Sequence, residues 1–386
     1  MFKRKSLLFV NPDYHCSFVL RDEFRKLGWR TNVFTAHGYP DKLLYKNEGL
    51  SVAKFEKMNI GFLSKERFIK LINLFIFMFA FFRYRYFLFY GTVGTVDVLP
   101  VRLDKLLRRF LDDDFRLSLE LGKVFGKKFL YLPSGCLGEE LQSEFSKLDN
   151  GKVCSNCGVL KCDDSMQIPR FKVLRRYGDF FFGNGTFNST QIHQTHVRYK
   201  SLDLNLWHPG IKVPRKFMLK PTKSLRVLHS FYEGGRNAGG KNIKGSGYVF
   251  EAVKKLREER YPVEYYFIRD VESKYMRYYQ VQADIVVDQL IYGWWGSTGI
   301  ETMALGKPVV CYLRKEWKDN FLRTFPEYES FPVVEATTET IYEVLKKLVT
   351  DEEYRKKRGA ESRAFAEKHF DAKKNAAEME KMFLNL

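Results

Sequence analysis

The chain has no apolar run long enough to span a bilayer. Its densest, LINLFIFMFAFF at 71–82, covers 12 of 386 residues and is interrupted by Asn73, whereas a spanning helix needs about 20. A buried or interfacial helix is expected there. The opening MFKRKSLLFVNPDYH lacks the long apolar region and small-residue cleavage site of a secretory signal, which implies a cytoplasmic protein. In that compartment the six cysteines do not form a disulfide framework. There is no fixed-period repeat and no recognisable nucleic-acid module. The basic residues are dispersed along the chain, so nucleic acid is not the expected partner.

What is present points to a folded protein with an anionic partner. The chain is 45% hydrophobic and 16% aromatic, a composition that excludes disorder. Its length makes two domains the default. Lys and Arg outnumber Asp and Glu by 65 to 46, a net charge of +19. Such a surplus attracts phosphorylated ligands or an acidic membrane surface.

Both halves read as alternating β and α elements. SLLFV (6–10), a polar loop NPDYHCS, a helix pattern closed by Gly28 and WRTNVF (29–34) form a βαβ unit. RYRYFLFYG (83–91), KKFLYLPSG (127–135) and DFFFGNG (179–185) supply further strand-to-loop junctions. Periodicity then fails where proline and lysine accumulate, giving a linker at 208–224 between an N-terminal domain (1–207) and a C-terminal one (225–386). In the second domain LRVLHS (225–230), VEYYFI (263–268), ADIVVDQL (283–290) and PVVCYL (308–313) read as strands, 247–260 as a helix and the C-terminus as helices. Two α/β domains with a cleft between them, ligands sitting at the strand ends that face it, are the architecture this pattern predicts.

The stretch GWWGSTGIETMALGKPVV (293–310) carries the most chemical information. Thr298 and Glu301 have the T-x-x-E spacing of a capping box. The amides of a helix start at Ser297, Thr298 and Gly299 would attract an anion, and a carboxylate one turn in could accept from a diol. Phosphate and diol together describe a nucleotide. Trp294 and Trp295 divide between core packing and a sugar platform, with Trp295 the candidate ligand contact.

GSTGIETMALGKPVV resembles the donor-binding signature of GT-B glycosyltransferases, especially glycosyltransferase family 4, whose pattern is Glu-Ala-Met-Ala-x-Gly-x-Pro-Val-Val. The resemblance implies an α/β fold of two Rossmann-like domains facing a cleft, with C-terminal helices. It also implies transfer of a sugar from a UDP- or GDP-sugar to a saccharide or lipid-linked acceptor, with retention and without a catalytic metal. Glu301 falls on the family's ribose-binding glutamate. The sugar-contacting glutamate falls on Gly293, a departure, and Asp288 lies five residues earlier. HSFYEGGRNAGGKNIKGSGYVFEAV (229–253) resembles the family's Arg…Lys-Gly element. Lys244 and Gly245 match the pair, and Arg236 or Lys241 supplies the second cation on the donor diphosphate. In the family the acceptor binds the N-terminal domain, where the loop after the first strand offers Asp13 and His15 as polar machinery.

Two features stand apart from that signature. Cys136, Cys154, Cys157 and Cys162, in an insertion at 136–168, offer four thiolates for a structural zinc or iron–sulfur site, the alternative being thiols in a surface insertion. The segment 68–90 mixes aromatic bulk with Lys70, Arg83 and Arg85. It reads either as core helix and core strand or as an anchor to the inner face of an anionic membrane. Such an anchor suits synthesis of a surface polysaccharide or lipopolysaccharide-type glycolipid. The competing functions are a GT-B epimerase or hydrolase, a non-catalytic GT-B-like partner and a nucleic-acid-binding protein.

Overall fold

The computed structural model describes residues 5–10, 15–34, 79–90, 110–112, 114–132, 136, 140–157, 162–182, 200–231, 242–269 and 271–386. These form two compact units, each built on one five-stranded parallel sheet. Unit 1 comprises 1–145, 162–201 and 372–386, and unit 2 comprises 146–161 and 202–371.

In unit 1 the strands β1 (Ser6–Val10), β2 (Arg30–Phe34), β3 (Tyr86–Tyr90), β4 (Lys128–Leu132) and β5 (Phe180–Phe181) lie in the order β2-β1-β3-β4-β5. β1 and β3 are buried along their whole length, as central strands covered on both faces must be. Successive side chains go to opposite faces. Leu8, Val10, Phe87 and Phe89 join Phe129, Phe171 and Tyr177 in one core, while Phe9 and Tyr86 face the other way. There Phe9 packs on Phe24 of helix α1 (Cys16–Lys26), and Tyr86 packs on Trp29. Helices α2 (Leu117–Val124) and α3 (Asp164–Tyr177) belong to the same unit.

The second face is completed from the far end of the sequence. Helix α10 (Ala372–Leu384) inserts Phe383 between Phe24 (centroids 5.7 Å, planes 6° apart), Tyr86 (6.0 Å) and Phe182 (6.0 Å). Glu380 accepts from the Trp29 indole at 2.7 Å and pairs with Lys5 at 2.8 Å. The last helix therefore belongs to unit 1, not to a C-terminal domain running to 386. Amphipathic periodicity shows that a helix must cover a core without saying which one. Replacing the fully buried Phe383 by alanine should destabilise unit 1 by about 3–5 kcal/mol, read as a lower urea midpoint by circular dichroism.

In unit 2 the order is β10-β9-β8-β6-β7, from β6 (Leu225–Phe231), β7 (Val263–Arg269), β8 (Ile285–Val287), β9 (Val309–Cys311) and β10 (Val334–Glu335). Numbered within each unit, both sheets run 2-1-3-4-5. In that arrangement the strand order reverses between the first and third strands, and the crevice beyond their carboxyl ends is open to a ligand. Helices α4 (Ser246–Glu258), α5 (Ser273–Gln280), α6 (Ser297–Ala304), α7 (Lys315–Thr324), α8 (Ile341–Thr350) and α9 (Glu352–His369) accompany the sheet. α5 and α7 lie outside the predicted helices.

The predicted linker is displaced. The chain leaves unit 1 after Ser201, and 208–224 is held on unit 2. Gln282 accepts from the Leu219 amide at 2.9 Å and donates to the Phe217 carbonyl at 2.9 Å. Loss of periodicity marks irregular backbone here, but side-chain hydrogen bonds keep that backbone in place.

Candidate donor site at the strand-order reversal of unit 2

The carboxyl ends of β6 and β8 bring together residues far apart in sequence. β6 carries His229 and Ser230 just before its last residue, Phe231, and β8 runs directly into Asp288 and Gln289. The segment between β6 and α4 includes Arg236 and Lys241, which lie outside the described residues, as does Asp13. Asn242 follows Lys241, and its Oδ1 accepts from the amides of Lys244 (3.0 Å) and Gly245 (3.1 Å), with the Ser246 hydroxyl oxygen 3.3 Å away. An Asx-type turn of this kind satisfies the amides that precede a helix, and α4 starts one residue later with Gly245 as its N-cap. The Lys244 carbonyl accepts from the Leu290 amide at 3.1 Å, tying this loop to the one after β8.

Asp288 is the hub of the site. It is 0% exposed, its Oδ1 accepts from the Lys244 ammonium, and its Oδ2 accepts from the Gly296 amide at the start of α6. A carboxylate there satisfies one orphan amide and complements the positive end of the helix. The close approach explains the glycine at 299, since a Cβ on Gly299 would stand 2.9 Å from Asp288 Oδ2 and 3.0 Å from Trp295 Cβ.

α6 begins at Ser297 with Gly296 as N-cap and no capping side chain. The expected Thr298–Glu301 capping box is therefore not formed, because Thr298 already lies inside the helix. Its hydroxyl is 3.4 Å from that of Ser230. Glu301 is buried and accepts from the amide nitrogen of Gln280, on α5, at 3.1 Å.

Trp295 does not present a sugar platform. Both tryptophans are 6% exposed. Trp294 packs on Trp295 (4.4 Å), Phe321 (5.2 Å) and Phe331 (5.4 Å), and Trp295 packs on Phe331 (4.9 Å) and Phe365 (6.3 Å). The loop is anchored by this aromatic cluster, whose members from α7 and α9 no local pattern reveals.

Gly293 has φ +97°, and a Cβ there would meet Arg314 Cβ at 3.1 Å and Cζ at 3.3 Å. A glutamate at this position would be strained. Arg314 is itself 1% exposed, donates to Asp149 Oδ2 at 2.6 Å and lies over the Trp317 ring at 4.2 Å. Its backbone amide donates to the Gly293 carbonyl at 2.9 Å. The site thus has no acid where the resemblance would place the sugar contact, and the fully buried Asp288 is taken up by Lys244 and the Gly296 amide.

His229 is fully buried between the Val287 carbonyl (Nδ1, 2.9 Å) and the Ser246 hydroxyl (Nε2, 2.8 Å). A carbonyl only accepts, so Nδ1 carries the proton and Nε2 accepts from Ser246. Burial first, and the Lys244 charge second, lower its pKa to about 4 against the favourable Val287 bond and Asp288. The imidazole is neutral and braces the start of α4 against β8. His15, where α1 begins in unit 1, is also fully buried, and burial and Lys200 hold its pKa well below the ordinary value.

The four cysteines are divided between the two units. Cys136 and Cys162 belong to unit 1, Cys154 and Cys157 to unit 2, and all four are half-buried thiols. Among the described residues no three His, Cys, Asp or Glu side chains converge as metal ligands. The segment bearing Cys154 and Cys157 is fixed by other contacts: Asp149 to Arg314, and Lys152 to Thr338 (2.7 Å) and Glu339 (2.9 Å).

Asp288, Asn242, Gln280 and His229 were absent from the predicted site. The end of a central strand was the one local signal available for Asp288.

Two parallel α/β units with this strand order define the GT-B fold, with Rossmann-like units. The chain is similar over 99% of its own length and 99% of theirs to sucrose-phosphate synthase (tll1590) from Thermosynechococcus elongatus (TM-score 0.60, 13% identity) and to the catalytic domain of starch synthase IV from Arabidopsis thaliana bound to ADP and acarbose (0.57, 8%). It is similar over 99% of itself and 100% of that chain to Anabaena Alr3699/HepE in complex with UDP-glucose (0.56, 13%). At these identities the likeness is one of fold. No family model and no curated protein matches the chain. No helix among the described residues is long and apolar enough to cross a membrane.

Proposed function

We propose that the chain is a glycosyltransferase of the family 4 type, moving a sugar from a nucleotide-sugar donor, UDP-linked in the first instance, to a saccharide or lipid-linked acceptor at the cytoplasmic face of a membrane. The observation that carries this reading is the convergence of Lys244, the α6 N-terminus and Glu301 at the strand-order reversal of unit 2. HepE and starch synthase IV, similar in fold, were solved with UDP-glucose and with ADP and acarbose.

Lys244, with Arg236 or Lys241, neutralises the donor diphosphate. The first-turn amides of α6 and the hydroxyls of Ser297 and Thr298 add hydrogen bonds, and Asp288 aims the lysine. Glu301, steadied by Gln280, accepts from the ribose diol. Catalysis on this reading is positioning plus stabilisation of charge on the leaving diphosphate. No general base is assigned to His15, which is fully buried; in a retaining transfer the departing phosphate oxygen takes the acceptor proton. Synthesis of a surface polysaccharide or lipopolysaccharide-type glycolipid is the setting that suits such an acceptor.

Calorimetric titration with UDP, GDP and CMP tests the proposal. One nucleotide should bind the wild type and bind Glu301→Ala at least tenfold more weakly. Binding of none of the three to the wild type would end the reading, and equal binding to both proteins would remove Glu301 from it.

A further inference from the structure

On unit 1, five large apolar side chains face solvent together: Phe79 (65% exposed), Phe82 (60%), Leu121 (40%), Val124 (78%) and Phe125 (57%). The Phe82 and Phe125 rings touch at 6.0 Å, and both rest on the buried Phe81 (5.8 and 6.1 Å). Leu121, Val124 and Phe125 share one side of the C-terminal end of α2 by their spacing. An exposed contiguous patch of this kind marks an interaction site rather than scattered surface residues.

The surrounding charge says what it meets. Arg83 lies over the Phe79 ring at 5.8 Å. Lys127 lies over Phe81 at 5.1 Å and donates to the Tyr84 carbonyl. Lys123 and Lys128 share the single carboxylate of Asp179 (2.8 and 3.3 Å). Glu120, the acid of α2, is drawn to Arg176 at 2.9 Å. Arg83 and Lys127 thus border the patch, and Lys123 and Lys128, which flank the turn that follows α2, bring two charges against the one carboxylate of Asp179, on a chain of net charge +19. A second copy meeting this face about a twofold axis would set the same cations against one another.

We propose that this face docks unit 1 on an anionic lipid surface. The phenylalanines enter the boundary between headgroups and acyl chains, and Arg83, Lys123, Lys127 and Lys128 lie at the lipid phosphates. As a partner it extends the reading of a lipid-linked acceptor, and the binding itself requires no catalysis.

The test is co-sedimentation of the full chain with vesicles of equal parts phosphatidylcholine and phosphatidylglycerol, and with pure phosphatidylcholine vesicles. Phe82→Ser/Phe125→Ser and Arg83→Glu probe the face, and Phe250→Ser, exposed on α4 of unit 2, is the control. Wild type and control should pellet with the anionic vesicles alone and be released by salt. The double serine variant, which keeps every charge, should partition at least tenfold more weakly, and Arg83→Glu severalfold more weakly, with unchanged thermal transitions. Failure of the wild type to bind anionic vesicles would overturn the proposal. So would undiminished binding by the double variant, which would leave net charge as the whole cause. Loss of a dimer in sedimentation velocity with vesicle binding intact would assign the face to a second copy instead. Nucleotide titration on the same samples keeps the two readings separable, because vesicle binding without nucleotide binding would remove the transferase reading and support this one.

Discussion

Asp288→Ala should destabilise unit 2 by about 3–5 kcal/mol, the range for breaking a buried ion pair from one side. The carboxylate is fully buried and the lysine side chain 13% exposed. Its removal leaves the Lys244 ammonium without its partner, the Gly296 amide without its acceptor and a void between β8 and α6. Four of the five tryptophans, Trp207, Trp294, Trp295 and Trp317, lie in unit 2, so urea denaturation followed by tryptophan fluorescence reports the effect. Asp288→Asn, which can still accept from Gly296, should lose less. The double variant Lys244→Met/Asp288→Leu removes both charges and should recover most of the stability, but nucleotide binding should not return with it. An Asp288→Ala protein that unfolds at the wild-type urea concentration would show that the pair contributes nothing.

The second large effect is acid destabilisation of unit 2 through His229. Its folded pKa is about 4 and the ordinary value is 6.5, so between these limits the unfolded chain binds the proton and the folded one does not. Stability from the neutral imidazole is complete above pH 6.5 and falls with pH down to about 4. At roughly 1.4 kcal/mol per pKa unit, the loss is about 3 kcal/mol. The cause is burial first: an imidazolium at this position would be cut off from water and repelled by Lys244, with only Asp288 and the Val287 carbonyl in its favour. Carboxylates also titrate in this range, so the informative quantity is the difference between wild type and His229→Gln. Urea curves at pH 7 and pH 4.5 should show a steeper loss in the wild type. Parallel losses in the two proteins would remove His229 as the cause.

Much of unit 2 was legible because its signals are local. The predicted strands LRVLHS and VEYYFI lie within β6 and β7, PVVCYL contains β9, and the helix predicted at 247–260 runs from Ser246 to Glu258. The glycines and hydroxyls at 296–299 marked a helix start that exists, although the cap is Gly296 and not Thr298. The placement of Trp295 was not legible. A tryptophan beside a glycine-rich loop looks the same whether it faces a ligand or a cluster of Phe321, Phe331 and Phe365, and those partners arrive from elements up to 70 residues away. The spacing of the cysteines was legible, but not that a division between two units falls in their midst.

What the sequence determined by itself is the alternation of buried strands and helices, the basic surplus and the glycine-rich helix start, since each depends on neighbouring residues and on backbone sterics. Only the tertiary structure decided which strands lie side by side, and with that the union of Lys244 and Asp288, 44 residues apart, and of Gln280 with Glu301, 21 apart. It likewise decided that α10 completes the core of unit 1. A side chain's period along the chain records that it must be buried or paired. Its partner is chosen by the sheet order, because burial without a partner is costly only once the chain has folded around it.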